Sequence, residues 1–166
     1  MNTYLQRVQD AIAEATRGMD AAQLTRHPEG KWSAAEILEH LDRTYRTTVP
    51  HLQKCLDAGL PSAGRPTLAQ RLAVGIVVGL GYMPPGRKAP EYAVPKGVPP
   101  DEVLRNLPLH LADMDGVLAE CERHFGGRCK LANHFILGPL TAHQWRKFHW
   151  VHTRHHMKQI ARLKGD

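Results

Sequence analysis

Residues 141–163 read TAHQWRKFHWVHTRHHMKQIARL, and their spacing predicts one long amphipathic helix with Thr141 as its N-cap. Set His152 at zero on a helical wheel and advance about 100° per residue. Trp145 and Leu163 then fall near +20°, His156 near about +40°, Gln159 near about −20° and Phe148 near about −40°. Two imidazoles one turn apart thus lie in the middle of the stripe expected to be buried. Lys147, Arg154 and Lys158 fall roughly 120° or more away, so these histidines are not part of a solvated basic face. Histidines at i, i+4 project the same way, the geometry by which one helix offers two nitrogens to one metal. His155 (about −60°) lies toward the edge of the stripe, whereas His149 (about +60°) lies closer to its centre and is not excluded by geometry. His149 with His152, at i, i+3, is an alternative pair. The competing reading is a hydrogen-bonded core pair, but burying two imidazoles costs desolvation unless something organises them. No glutamate follows the HExxH pattern, which leaves a zinc-peptidase reading unsupported.

Outward from this helix the pattern is helical almost throughout, with no alternating strand run and no βαβ rhythm. Tyr4, Leu5, Val8, Ile12 and Ala15 give a first helix ending near Gly18. WSAAEILEHL, residues 32–41, opens a second: Ser33 as N-cap and Glu36 form a capping box, with Trp32 as an apolar staple. Its pattern runs to about Asp57, and Gly59 and Pro61 stop it. A short apolar helix is expected from Thr67 to before Pro84. Pro84–Pro100 contains six prolines and reads as an extended surface loop. Asp101 then opens a helix through Cys121, with Pro108 expected to kink it or mark a later start, and Gly126 and Gly127 to end it. LANHFILGPL, residues 131–140, reads as a loop leading to Thr141. Four longer helices and one shorter one predict an all-α bundle spanning residues 1–166 as one domain.

Composition narrows the function. At 166 residues, 42% hydrophobic and 23% charged, the chain is long enough for a full core. Leu68–Leu80 is too short and too interrupted to cross a membrane. MNTYLQRVQD has no apolar signal core, and three cysteines without a CxxC pair suit a reducing cytoplasm. The net charge of +6 raises nucleic acid as a partner, but the basic residues are dispersed and no stacking set or recognition motif accompanies them. Histidine is the anomaly: eleven are present, four between His149 and His156.

Two ligands rarely hold a catalytic metal; three with an open position are typical. His40, at the flank of the second helix's apolar face beside Ile37 and Leu41, is the candidate third. Glu36 precedes it by one turn, and Thr44, Thr47 and His51 continue the same stripe. The competing reading of His40 is a polar residue at a helix–helix boundary.

WSAAEILEHL, GPLTAHQW and HWVHTRHHMKQI together resemble the DinB-like superfamily, which includes the YfiT-like proteins, and within it a branch with GPLT and HxxHHxxQ motifs. The resemblance covers most of the chain. It implies a four-helix bundle holding a divalent metal on His40, His152 and His156. It places His155 in the first position of an HH doublet, outside the ligand set, and leaves His149 to line the pocket. The helix Leu68–Leu80 and the proline-rich loop are additions to the minimal bundle, placed to cover the open coordination position. The implied chemistry is a thiol-dependent transferase or hydrolase acting on a small molecule, with a low-molecular-weight thiol as co-substrate. Zinc or nickel come first as the metal, then iron, manganese or copper. Glu36, His149 and Gln159 are candidates for the pocket or for orienting ligands. Relatives suggest a homodimer. The alternative function is a non-catalytic metal-binding or stress-related protein, its site closed by a fourth ligand such as His51 or His149; a nucleic-acid binder ranks third.

Overall fold

A computed structural model describes residues 1–165 of the chain. The all-α expectation holds. Four long helices, α1 (Thr3–Thr16), α3 (Ala34–Ala58), α5 (Pro100–Phe125) and α6 (Ala142–Gly165), carry most of the core, with two short ones, α2 (Ala21–Thr25) and α4 (Leu68–Val74), between them. α3 packs along α5 and α1 along α6, and α6 also meets α3. Their apolar faces merge into one buried cluster that includes Leu5, Val8, Leu38, Leu41, Leu111, Leu118 and Ile160.

Local chemistry explains the boundaries. Ser33 and Glu36 form the expected capping box, and α3 ends at Gly59, whose φ of 64° is a left-handed conformation that L side chains resist. Thr67 caps α4 through Gln70, and Thr141 caps α6 through Gln144 in the same reciprocal way. α5 begins at Pro100 and continues without a break past Pro108. The expected later start does not occur, because a proline removes one backbone bond while Leu107 and Leu111 on either side are fully packed.

Three features depart from the sequence reading. α2 is a single capped turn after Gly18, anchored by Leu24 alone. Residues 131–140 are not an irregular loop: Ala132–His134 (β1) and Gly138–Leu140 (β2) pair antiparallel, with Ala132 opposite Leu140 and His134 opposite Gly138. The apolar segment after Thr67 continues α4 into a π-helical turn, Gly75–Gly79, but buries only Val77 and Val78 and leaves Leu68, Leu72 and Leu80 exposed.

Polar contacts lock the helices in register. Arg146 on α6 is buried and donates through Nε to Asp115 Oδ1 (2.9 Å) and through a terminal nitrogen to Glu122 Oε2 (2.6 Å), while Asp115 Oδ2 accepts the Asn2 amide at 2.7 Å. The Tyr45 hydroxyl meets the Thr153 hydroxyl at 2.7 Å in the core between α3 and α6. Residues 84–99 form the expected extended loop, with one 3₁₀ turn at Glu91–Ala93. The buried Glu39 of α3 fixes it, accepting the backbone amides of Lys96 (2.7 Å), Gly97 (2.9 Å) and Val98 (3.0 Å). Among the described residues no helix is long and apolar enough to cross a membrane.

Candidate metal centre

α3 brings His40 against His152 and His156 of α6. The three rings are mutually edge-on, with centroids 4.7–5.1 Å apart. Their Nε2 atoms converge: His152 Nε2 lies 3.2 Å from His40 Nε2 and 3.1 Å from His156 Nε2. Metal–nitrogen bonds of about 2.0–2.1 Å in a tetrahedral set hold neighbouring nitrogens roughly 3.3 Å apart, close to this spacing. Among the described residues, these three histidines are the group whose donor atoms could hold a metal ion.

The hydrogen bonds fix the protons on two of the rings. His40 Nδ1 sits 2.8 Å from the Ala93 carbonyl, which can only accept, so Nδ1 carries the hydrogen and Nε2 a free lone pair. His156 Nδ1 donates to Gln159 Oε1 at 2.7 Å, with the same result. Two lone pairs therefore point at His152 Nε2. A single N–H there can satisfy one of them and leaves the other facing nitrogen, whereas a cation satisfies all three. The donor set fits a divalent metal on this ground, and the Nδ1 hydrogen bonds of His40 and His156 are the kind that orient imidazole ligands.

Burial keeps the rings neutral, as metal ligation requires. It lowers His40, against an opposing pull from its bond to Ala93; it lowers His152 well below the ordinary range, helped by His156 and His40; and it takes His156 down to about 3.

The site opens into a cavity of about 1120 Å³, large enough for a substantial organic ligand. The proline-rich loop forms part of its wall through residues 83–90, with Tyr92 and Val94 beyond them. The segment Leu68–Leu80 does not line it, although it was expected to help cover the site.

The remaining candidates separate clearly. Gln159 orients His156 and also approaches His155 Nε2 at 3.3 Å. His149 is the most enclosed histidine on α6 and lines the cavity; its Nε2 lies 3.3 Å from Thr48 Oγ1, and its Nδ1 has no hydrogen-bond partner. Neither it nor His51 joins the three-histidine group. Glu36 is occupied at the helix cap, bonding the Ser33 amide and lying 3.3 Å from His27, and is not part of the cavity wall. His155 is half-buried and outside the group.

The sequence reading passed over His134, on β1. Its Nδ1 accepts the amides of Ile136 and Leu137, both at 3.2 Å, which places its hydrogen on Nε2. Burial lowers its pKa to about 4, so it stays a neutral donor. It lines the cavity and packs on Phe148 at 4.4 Å, while Phe148 stacks on His152 at 5.5 Å. A three-residue strand has no period to read; the only signal was the polar pair Asn133–His134 set among apolar residues ahead of GPL.

No curated protein and no solved structure matches the chain. A family model does, over residues 3–163, and so spans α1 to the last turns of α6 with all three converging histidines inside it. The chain belongs to the family described as "Protein of unknown function (DUF1569)".

Proposed function

We propose that this protein is a divalent-metal-dependent enzyme whose metal is held by His40, His152 and His156, acting on a small molecule as a thiol-dependent transferase or as a hydrolase. The observation that carries this reading is the convergence of three Nε2 atoms, two with their lone pairs fixed by hydrogen bonds on the far side of the ring. The DinB-like resemblance of the sequence, with its four-helix bundle and three-histidine site, supports the same assignment. Membership in DUF1569 brings no activity of its own.

When bound, a divalent cation supplies a +2 charge that three neutral imidazoles leave uncancelled, favouring the deprotonated form of a thiol or water beside it. The chain's own residues prepare the surroundings. The Ala93 carbonyl and Gln159 hold His40 and His156 in the ligating tautomer. Phe148 and Trp145 keep water from one flank, and His134 presents an Nε2 hydrogen that can hold a substrate oxygen. Three protein ligands beside a large cavity favour a catalytic over a closed structural site, since neither His51 nor His149 completes a fourth position. Zinc or nickel are the first metals to expect. A cytoplasmic setting and a homodimer complete the proposal.

Metal analysis of the purified protein beside His40→Ala, His152→Ala and His156→Ala is the test. The expected result is about one equivalent in the wild type and a loss in each variant; unchanged content in all three overturns the site. Turnover of electrophiles with glutathione, bacillithiol and mycothiol then separates the transferase from the hydrolase.

A further inference from the structure

The cavity wall has a one-sided charge. Lys31 ahead of α3, Arg87 and Lys88 in the proline-rich loop, and Arg162 on α6 all line it. Each side chain is exposed, and none takes part in an ion pair among the described residues. Against these four permanent cations the wall contains no Asp or Glu, although the chain has 16 of them. The nearest carboxylates on α3 are committed elsewhere: Glu39 to three loop amides and Glu36 to the helix cap. A concave, low-dielectric wall bearing one sign of charge concentrates the field and draws ligands of the opposite sign.

Beside these cations, the histidines and a few neutral polar side chains such as Thr44, Thr47 and Asn133, the wall is aromatic and apolar. Trp32, Phe135, Trp145 and Phe148 face the cavity. His134 also lines the cavity, and its fixed tautomer offers a hydrogen and no acceptor at Nε2. The charged side chains of the wall are thus all cationic, set beside an aromatic surface.

We propose that the ligand of this cavity is an organic carboxylate with an aromatic or apolar body. The body seats against Trp32, Phe135 and Phe148, and the carboxylate is met by Arg87 and Lys88 with Lys31 and Arg162 around it. This names a substrate class for the pocket of the proposed enzyme and rests on that reading of the cavity. The proline-rich loop then selects the ligand's charge, while the histidines set the chemistry.

Calorimetric titration of the purified full-length protein with 2-naphthoate, its neutral isostere 2-naphthamide, and acetate tests this. The expected result is at least tenfold tighter binding of naphthoate than naphthamide, with acetate, an anion without a ring, far weaker than naphthoate. The Arg87→Glu/Lys88→Glu variant, altered only at exposed loop positions, should abolish the preference, and Arg87→Gln/Lys88→Gln should reduce it. Equal binding of naphthoate and naphthamide overturns the proposal, as does a preference that survives both loop variants in protein whose thermal unfolding is unchanged. A wild type that shows this preference yet takes up no zinc or nickel would instead sink the metal reading alone.

Discussion

His149 offers a direct reading of how strongly the core enforces neutrality. The ring is 1% exposed. Its Nε2 faces Thr48 Oγ1, whose own hydrogen goes to the Thr44 carbonyl at 2.9 Å, so the imidazole donates and its unpartnered Nδ1 is the site a proton would have to enter. Burial, with a smaller contribution from His134, lowers its pKa from 6.5 to about 3. Below 6.5 the unfolded chain takes up a proton that the folded one refuses, so the stability this residue supports is present above pH 6.5 and is lost as pH falls toward 3. At about 1.36 kcal/mol per unit, roughly 2 kcal/mol is gone by about pH 5. Gln at this position titrates in neither state. Urea unfolding of wild type and His149→Gln at pH 7.5 and at pH 5, both with chelator, isolates the effect. Whatever the variant loses at neutral pH, its stability should fall by about 2 kcal/mol less on acidification. Parallel losses in the two proteins would refute the argument, because a histidine that protonates freely in place is not held neutral by the fold.

The remaining predictions test other layers. Removing a metal present at a thousandfold excess over its dissociation constant should cost about 4 kcal/mol, lowering Tm by roughly 8–16 °C in a domain of this size, with no such drop for His156→Ala; identical shifts in both would place the metal elsewhere. Arg146→Met strands the buried Asp115 and should cost about 3–5 kcal/mol in denaturant unfolding, most of it recovered by Arg146→Met/Asp115→Leu; the Glu122 contact is partly exposed and adds little. A loss under about 1 kcal/mol would show that Asp115 reaches solvent. Glu39→Ala should speed hydrogen exchange at the amides of Lys96, Gly97 and Val98 while leaving the interior of α5 protected; unchanged exchange there would mean the loop is held by other contacts.

The long helices were legible because they are long. α6, α3 and α1 repeat their apolar spacing over several turns, and Ser33 and Thr141 mark the starts of α3 and α6 by side-chain chemistry. α2 and the β1–β2 hairpin were not, since five and three residues hold no period. The segment after Thr67 misled in another way: its leucines are apolar at helical spacing, yet Leu68 is 79% exposed, and only packing against the rest of the fold decides that. On α6 the wheel put His152 and His156 together and kept His149 near the centre of the face; that His149 would be buried against Thr48 of α3 and not join the other two rested on packing the wheel does not show. His40 was visible locally only as a flank residue, and the resemblance brought it forward. Glu39 gave no signal at all, because its partners are backbone amides 57–59 residues away.

Glu39 and His40 are neighbours in the chain, and both grip the proline-rich loop, one by the amides of 96–98 and the other by the carbonyl of Ala93. Every atom they grip belongs to the main chain. Side chains between Pro84 and Pro90 can therefore be exchanged without touching either grip. The loop is a replaceable cassette clipped at one end to the ligand helix, and the pocket's taste for ligands can be rewritten there while the three histidines stay where they are.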